Sequence, residues 1–138
     1  MNRKSRTLRV FGMFVLGCAL AARAVAADTI SVQITHPAKW GAGGEGPMDA
    51  ISGTISGAPA GAKIVVFCYA GGTYWVQPWA NNYKTSIDGT NWSTTTHLGE
   101  KYVVLVVRSS FQTTSPIPSL PGVGGDVLAV SKETPGRK

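Results

Sequence analysis

The feature that most constrains this chain is a series of short runs of β-branched and aromatic residues, which recur about every ten residues between turn formers. In the first run, Ile30, Val32 and Ile34 fall on one face of an extended strand, and the intervening polar residues fall on the other. No window carries the extended apolar period of a helix. Short strands joined by glycine, proline, asparagine and aspartate predict an all-β sandwich or barrel.

Two of these runs are apolar on both faces. They span residues 63–70 and 102–108. Such runs are typical of central strands, whereas alternating runs keep one face in water. We therefore expect the strand of Val65 and Phe67 to face or adjoin the strand of Val104 and Val106.

Turn-forming pairs set the expected topology. Gly71-Gly72 and Asp88-Gly89 predict hairpin turns, so a meander is the simplest arrangement. Seven or eight antiparallel strands in about 105 residues suit one immunoglobulin- or fibronectin-like sandwich. The other strands are expected near 29–35, 50–56, 73–79, 92–96 and 126–131, the last between a Ser/Pro/Gly-rich stretch and a polar tail.

The N-terminal segment has the pattern of a secretory signal. A basic stretch, residues 1–9, precedes a thirteen-residue apolar stretch, residues 10–22. That stretch has the length of a signal h-region and is too short to span a bilayer. Small residues up to Ala27 then offer a cleavage site. We expect residues 1–27 to be a signal peptide and residues 28–138 to form a single secreted or periplasmic domain.

The two cysteines bear on membrane attachment and on the core. Val15-Leu16-Gly17-Cys18 resembles a lipobox, in which Cys18 would be lipidated and would anchor the chain to a membrane. The Ala-rich site downstream favours the free chain instead. Removing Cys18 leaves Cys68 alone, so no intrachain disulfide is expected. Cys68 stands in an apolar strand and is expected to be a small buried side chain rather than a nucleophile.

The distribution of charge excludes one class of partner. The chain has a formal net charge of +6, but five of its thirteen basic residues lie before residue 28 and all seven acidic residues lie from Asp28 onward. The remaining eight basic and seven acidic residues give the mature chain a charge of +1. Nucleic-acid binding requires a dense basic surface, so no nucleic-acid partner is expected.

No arrangement of residues predicts catalysis, a metal or a cofactor. The acidic residues show no spacing that indicates the carboxylate pair of a glycosidase. His36 and His97 lie far apart and outside any metal-binding motif. Neither a G-x-S-x-G motif nor a phosphate-binding loop followed by a helix is present. A non-catalytic protein is therefore expected.

Aromatic residues form the strongest candidate site. Tyr and Trp rings suit stacking against the C–H face of a sugar, or packing into a protein partner. Strand alternation places Trp75, Gln77 and Trp79 on the face opposite Tyr74, so at most one set can fill the core. The candidate ligand-binding residues are Tyr74, Trp75, Trp79, Tyr83 and Trp92.

Several segments together resemble bacterial secreted immunoglobulin-like β-sandwich modules, which accompany carbohydrate-active enzymes or surface proteins. The resemblance covers about residues 30–130 and implies the fold, with no catalytic residue. The segments that carry it are Gly53-Thr54-Ile55-Ser56-Gly57 with Pro59 and Gly61, Val65-Val66-Phe67, Tyr74 to Trp79, Thr85-Ser86-Ile87-Asp88-Gly89 and Trp92-Ser93.

Two functions follow as hypotheses. In the first, the protein is an exported module that binds a glycan or a cell-surface partner through exposed aromatic rings. In the second, it is a structural or assembly protein whose aromatic rings fill the core and whose edge strands accept partner strands. Exposure of the tryptophan rings separates the two hypotheses.

The leader generates a testable prediction. Protein recovered from the exported fraction should begin at Ala27 or Asp28, because the cleavage site follows the apolar stretch directly. N-terminal sequencing checks this, and a lipid-modified Cys18 as the first residue would contradict it.

Overall fold

The computed structural model describes residues 29–138, which form a β-sandwich of two antiparallel sheets. The predicted signal peptide and Cys18 lie outside the described residues. A three-stranded sheet has the order β1-β2-β6, and the facing sheet has a row β4-β3-β7-β8, with β5 beside β3 and β9 beside β7. The strands are β1 Ser31–His36, β2 Met48–Ser56, β3 Lys63–Ala70, β4 Thr73–Gln77, β5 Thr85–Ser86, β6 Asn91–His97, β7 Lys101–Val107, β8 Val127–Val130 and β9 Thr134–Pro135.

The all-β sandwich is confirmed, and the meander is wrong. Seven strands have four or more residues and two have only two residues. The chain leaves the larger sheet after β5 and turns at Gly89-Thr90, where Asp88 and Asn91 exchange backbone hydrogen bonds of 2.9 Å. It then enters the smaller sheet as β6, beside β2, before β7 returns to β3. The meander fails because β5 pairs with β3 and the next strand, β6, pairs with β2 in the other sheet.

Strands β3 and β7 are neighbours, as expected, and the sheet they centre is buried on both faces. Val66 lies opposite Val104, and Phe67 lies opposite Val103. Alternate residues enter two separate apolar clusters. One cluster fills the space between the sheets and includes Ile64, Val66, Cys68, Val104 and Val106. The other lies on the outer face of the larger sheet and includes Val65, Phe67, Val103, Leu105 and Phe111.

The Ser/Pro/Gly-rich stretch, which follows Phe111 and runs through Gly125, covers this outer face. Phe111, Ile117 and Leu120 pack onto the outer cluster. Ile117 also exchanges two backbone hydrogen bonds of 2.9 Å with Tyr74. The Ser115 Oγ accepts a third bond, from the Val76 N–H at 3.1 Å. The stretch therefore provides a second layer and occupies the outer edge of β4.

The expected polar tail is part of the fold instead. β9 pairs with β7, and the Arg137 guanidinium contacts the Asp49 carboxylate at 2.9 Å. The Asp49 carboxylate also accepts the Lys39 N–H at 2.9 Å. That backbone bond is the largest cause of a lowered pKa of Asp49, ahead of the opposing effect of burial. Gly136 lies so close to the Trp40 backbone that a Cβ would approach Trp40 Cα to 2.6 Å. Backbone pairing and close packing thus hold the tail, despite its polar sequence.

Within residues 29–138 no helix is long and apolar enough to cross a membrane.

The two-sided burial of β3 predicts the cost of a cavity. Phe67 has no exposed surface, so Phe67→Ala should lower the free energy of unfolding by about 3–5 kcal/mol. Urea denaturation followed by circular dichroism measures this. Val123→Ala is the matched control because Val123 is 69% exposed. A loss below about 1 kcal/mol for Phe67→Ala would place the ring outside the core.

Candidate functional site

An open cleft of about 470 Å³ lies at one side of the sandwich. Trp75, Trp79 and Pro78 line it from β4 and the segment that follows. The glycine-rich loop between β1 and β2 lines it with Ala42, Gly43, Gly44 and Glu45. Buried side chains of Cys68, Gln77 and His97 form its base. Aromatic surface and a few polar groups therefore converge on one concave site, as is common in ligand-binding sites.

A tight hairpin places Trp75 in the cleft. Gly71 and Gly72 have positive φ angles of 61° and 83°, which a two-residue turn requires at both positions and which other residues adopt only at a cost. This turn sets Trp75 opposite Cys68, on the face that points toward the smaller sheet. The smaller sheet has three strands against the four of the facing row. β4 lies at one end of that row, and the Trp75 side chain stays 42% exposed.

The Trp75 ring is held in place by a hydrogen bond. Its Nε1–H donates to the Ala70 carbonyl at 3.1 Å, across the hairpin. The N–H of the indole is thus hydrogen-bonded within the protein, while much of the ring is accessible to solvent.

Trp79 lies beyond the end of β4 and is 48% exposed. A local turn fixes its backbone, because the Asn82 N–H donates to the Trp79 carbonyl at 3.0 Å. Its ring meets the His97 ring edge-on, with centroids 4.6 Å apart and an interplanar angle of 79°. This contact supports the ring from the protein side.

Gln77 links the two sheets beneath the rings. It is buried, and its Nε2 donates to the Cys68 Sγ at 3.0 Å. Its Oε1 accepts the backbone N–H of His97 at 2.8 Å and lies 3.0 Å from the His97 Nδ1. The reverse amide orientation would turn an NH₂ group toward a backbone N–H. Gln77 therefore presents an acceptor to His97, and the His97 Nδ1 carries a proton that it donates to this acceptor.

Cys68 is a buried thiol, as its apolar strand predicts. Burial raises its pKa to about 11. A thiol with such a pKa stays protonated at neutral pH, and the nucleophilic form is the thiolate. Cys68 therefore contributes packing and a hydrogen-bond acceptor to the base of the cleft.

The structure places Tyr74 and Tyr83 away from the cleft. Both are half-buried against the outer cluster of the larger sheet. The Tyr74 hydroxyl donates to the Glu133 carboxylate at 3.0 Å, and Glu133 also contacts the Lys101 Nζ at 2.8 Å. Burial, and then the bond to Glu133, raise the pKa of Tyr74. These contacts tie β4 to the C-terminal segment.

Trp92 belongs to the core and presents no surface to a ligand. It is 2% exposed and packs between the sheets opposite Gly53. A Cβ at position 53 would approach the Trp92 ring to 2.8 Å and would collide with the Gln33 carbonyl. The absence of a side chain at Gly53 thus makes room for the indole. Within the described part of the chain, the Trp92 Nε1 has no hydrogen-bond partner.

Of the five candidate residues, only Trp75 and Trp79 meet in one site. Gln77, His97 and Glu45 also line this site, and none of the three is among the candidates predicted from the sequence. Strand alternation provided a signal for Gln77, which shares a face with Trp75. No sequence signal pointed to His97, because it lies twenty positions away on the other sheet.

Among residues 29–138, the His, Cys, Asp and Glu side chains form no group of three that could hold a metal ion. Comparisons with protein-family models, with curated proteins and with solved structures find no match to this chain.

The buried thiol generates a prediction about reactivity. A pKa of about 11 instead of 9.0 lowers the thiolate fraction at pH 8 about a hundredfold. Native protein should therefore alkylate at Cys68 at least that much more slowly than protein in urea. Mass spectrometry of the peptide that carries Cys68 measures both rates, and similar rates would contradict the burial.

The same shift fixes the sign of a pH effect. Below pH 9 the thiol is protonated in both states and contributes nothing, whereas between pH 9 and 11 only the unfolded chain loses its proton. The stability of the wild type should therefore fall relative to that of Cys68→Ala as the pH rises through this window.

Proposed function

We propose that this protein is an exported, non-catalytic binding module that recognises carbohydrate through Trp75 and Trp79. The observation that carries the proposal is the exposure of these two rings, 42% and 48%, on one cleft. Export rests on the signal-like residues 1–27, and the resemblance to secreted immunoglobulin-like modules agrees with it.

The chemistry of the cleft suits a sugar. Indole faces are flat and apolar, and they stack against the C–H face of a pyranose ring. Both rings are already held, Trp75 by its bond to Ala70 and Trp79 by its contact with His97. Rings fixed before binding lose little conformational entropy when a ligand arrives. Buried polar groups at the base can then orient the hydroxyl groups.

The assembly hypothesis has less support. It requires the aromatic rings to lie in the core, and Trp92 alone among the three candidate tryptophans does so. The smaller sheet ends at β1 and β6, and the row of the larger sheet ends at β4 and β8. Ile117 already bonds to the outer edge of β4, so β1, β6 and β8 are the edges at which a partner strand would add. However, an edge strand explains neither the exposed rings nor the cleft between them, so we favour carbohydrate binding.

Single substitutions test the proposal. Trp75→Ala and Trp79→Ala should each weaken glycan binding about tenfold, because each removes a stacking surface worth a kcal/mol or so. They should change the free energy of unfolding by only about 0.5 kcal/mol, as exposed substitutions do. A glycan array with the wild type selects a ligand, and isothermal titration with thermal melting then compares the variants.

Trp40→Ala is the matched control. Trp40 is 50% exposed but does not line the cleft, so this variant should bind like the wild type. An absence of glycan binding by the wild type, or equal losses in all three variants, would defeat the proposal.

A further inference from the structure

The electrostatic character of the cleft is set by one residue. Glu45 is the only Asp, Glu, Lys or Arg among the described residues that line it. It lies exposed on the glycine-rich loop, facing the side that carries Trp75 and Trp79. Proteins bind carboxylate and phosphate groups through Arg or Lys, and among residues 29–138 no such side chain lines this cleft. The charge therefore opposes anionic ligands.

The base of the cleft offers a hydrogen-bond acceptor. His97 is 8% exposed and lines the cleft. Its Nδ1 is committed to the Gln77 Oε1, so in the neutral ring the Nε2 carries the lone pair. Within residues 29–138 no group hydrogen-bonds to this Nε2, and it is not among the fully enclosed polar atoms without a partner. The Nε2 is thus not fully enclosed, and its lone pair can accept a hydrogen bond from a ligand group that reaches it.

Gln77 is the positioning residue for this acceptor. It is fixed by its bonds to the Cys68 Sγ and to the His97 backbone, so its carbonyl oxygen cannot turn away from Nδ1 without breaking both. The tautomer of His97 is thus set by the fold before a ligand arrives. A ligand that meets this nitrogen must bring a donor, and a sugar hydroxyl is such a donor.

From these two features we infer that the cleft binds an uncharged sugar unit, with a hydroxyl donating to the His97 Nε2, and that Glu45 disfavours sugars bearing carboxylate or sulfate groups. The inference rests on the proposed carbohydrate-binding function. It adds the class of sugar and the residue that orients it.

A matched pair of ligands tests the class of sugar. The probes are the neutral oligosaccharide that binds best on an array of neutral, uronic-acid and sulfated glycans, and the same oligosaccharide oxidised at C6 to the uronic acid. The neutral form should bind more tightly in isothermal titration. Equal or tighter binding of the acidic form would overturn the inference and leave carbohydrate binding intact. No binding to any glycan would defeat both.

Glu45→Gln isolates the charge. A carboxylate about 4 Å from a ligand anion in a water-like medium opposes binding by about fivefold at low salt. Glu45→Gln should therefore tighten binding of the acidic form, relative to binding of the neutral form, by about that factor.

Asp88→Asn is the matched control for Glu45→Gln. It removes one negative charge next to Asn91, at the other end of β6 from His97 and about 20 Å away along the strand. It should change neither affinity. Equal effects of the two substitutions would assign the selectivity to net charge and overturn the role of Glu45.

His97→Phe isolates the acceptor. Phenylalanine keeps a ring against Trp79 and removes both nitrogens, so it should weaken binding of the neutral sugar roughly tenfold. If His97 only supports Trp79, the affinity will not change, and the inference fails.

Nuclear magnetic resonance of the wild type tests the same acceptor without relying on the folding of His97→Phe. The ¹⁵N shifts of the imidazole ring of neutral His97 should show a protonated Nδ1 and an unprotonated Nε2, and the Nε2 signal should move when the neutral sugar binds. The opposite tautomer, or an unmoved signal at saturation, would overturn the assignment.

Discussion

The pairing of β3 with β7 is the constraint on which the rest of the structure depends. Ile64, Val66 and Cys68 face the smaller sheet, whereas Val65 and Phe67 face the outer cluster. A strand with two apolar faces must be covered twice. The smaller sheet covers one face, and the loop from Phe111 to Leu120 covers the other. Residues that read as a long connection in the sequence are therefore needed to complete the fold.

The same arrangement creates the cleft. β4 pairs with β3 along one edge, and the covering loop bonds to its other edge at Tyr74 and Val76. The backbone of β4 is thus hydrogen-bonded on both edges. Only its side chains on the face toward the smaller sheet remain available to form the cleft. Gln77 fills the gap to β6 with hydrogen bonds. Trp75 has no such partner strand above it and lies open to solvent. The cleft forms because the smaller sheet, with three strands, does not cover the whole row of four strands that it faces.

The local pattern of the sequence predicts the seven longer strands and the pairing of β3 with β7, but neither of the short strands β5 and β9 nor the pairing of β2 with β6. The run of 63–70 forms β3 with the predicted bounds, and the turn at Gly71-Gly72 forms as predicted. The second turn lies at Gly89-Thr90, one residue beyond the predicted Asp88-Gly89, and joins the two sheets. In the pairing of β2 with β6, Trp92 lies opposite Gly53, where only a residue without a Cβ leaves room for the indole. The polar tail is held by backbone pairing and by Arg137. Contacts of this kind join residues far apart in sequence, and periodicity carries no record of them. His97 likewise belongs to the site through its contact with Gln77, which lies twenty residues away in the sequence.

The contrast between the tryptophans bears on function. For Trp92 the chain provides a glycine on the adjacent strand, and the whole indole enters the core at the cost of an unpartnered Nε1–H. Trp75 stands opposite Cys68, a small side chain that is itself buried, yet its ring lies outside with its N–H satisfied by Ala70. A fold that can bury one indole has means to bury another. Single exposed indoles are common, and Trp40 is one at 50% exposure, but Trp75 and Trp79 place two fixed rings on the same concave surface. Under the proposed function a ligand covers these two rings, and their position on one cleft, rather than their exposure alone, separates them from Trp40.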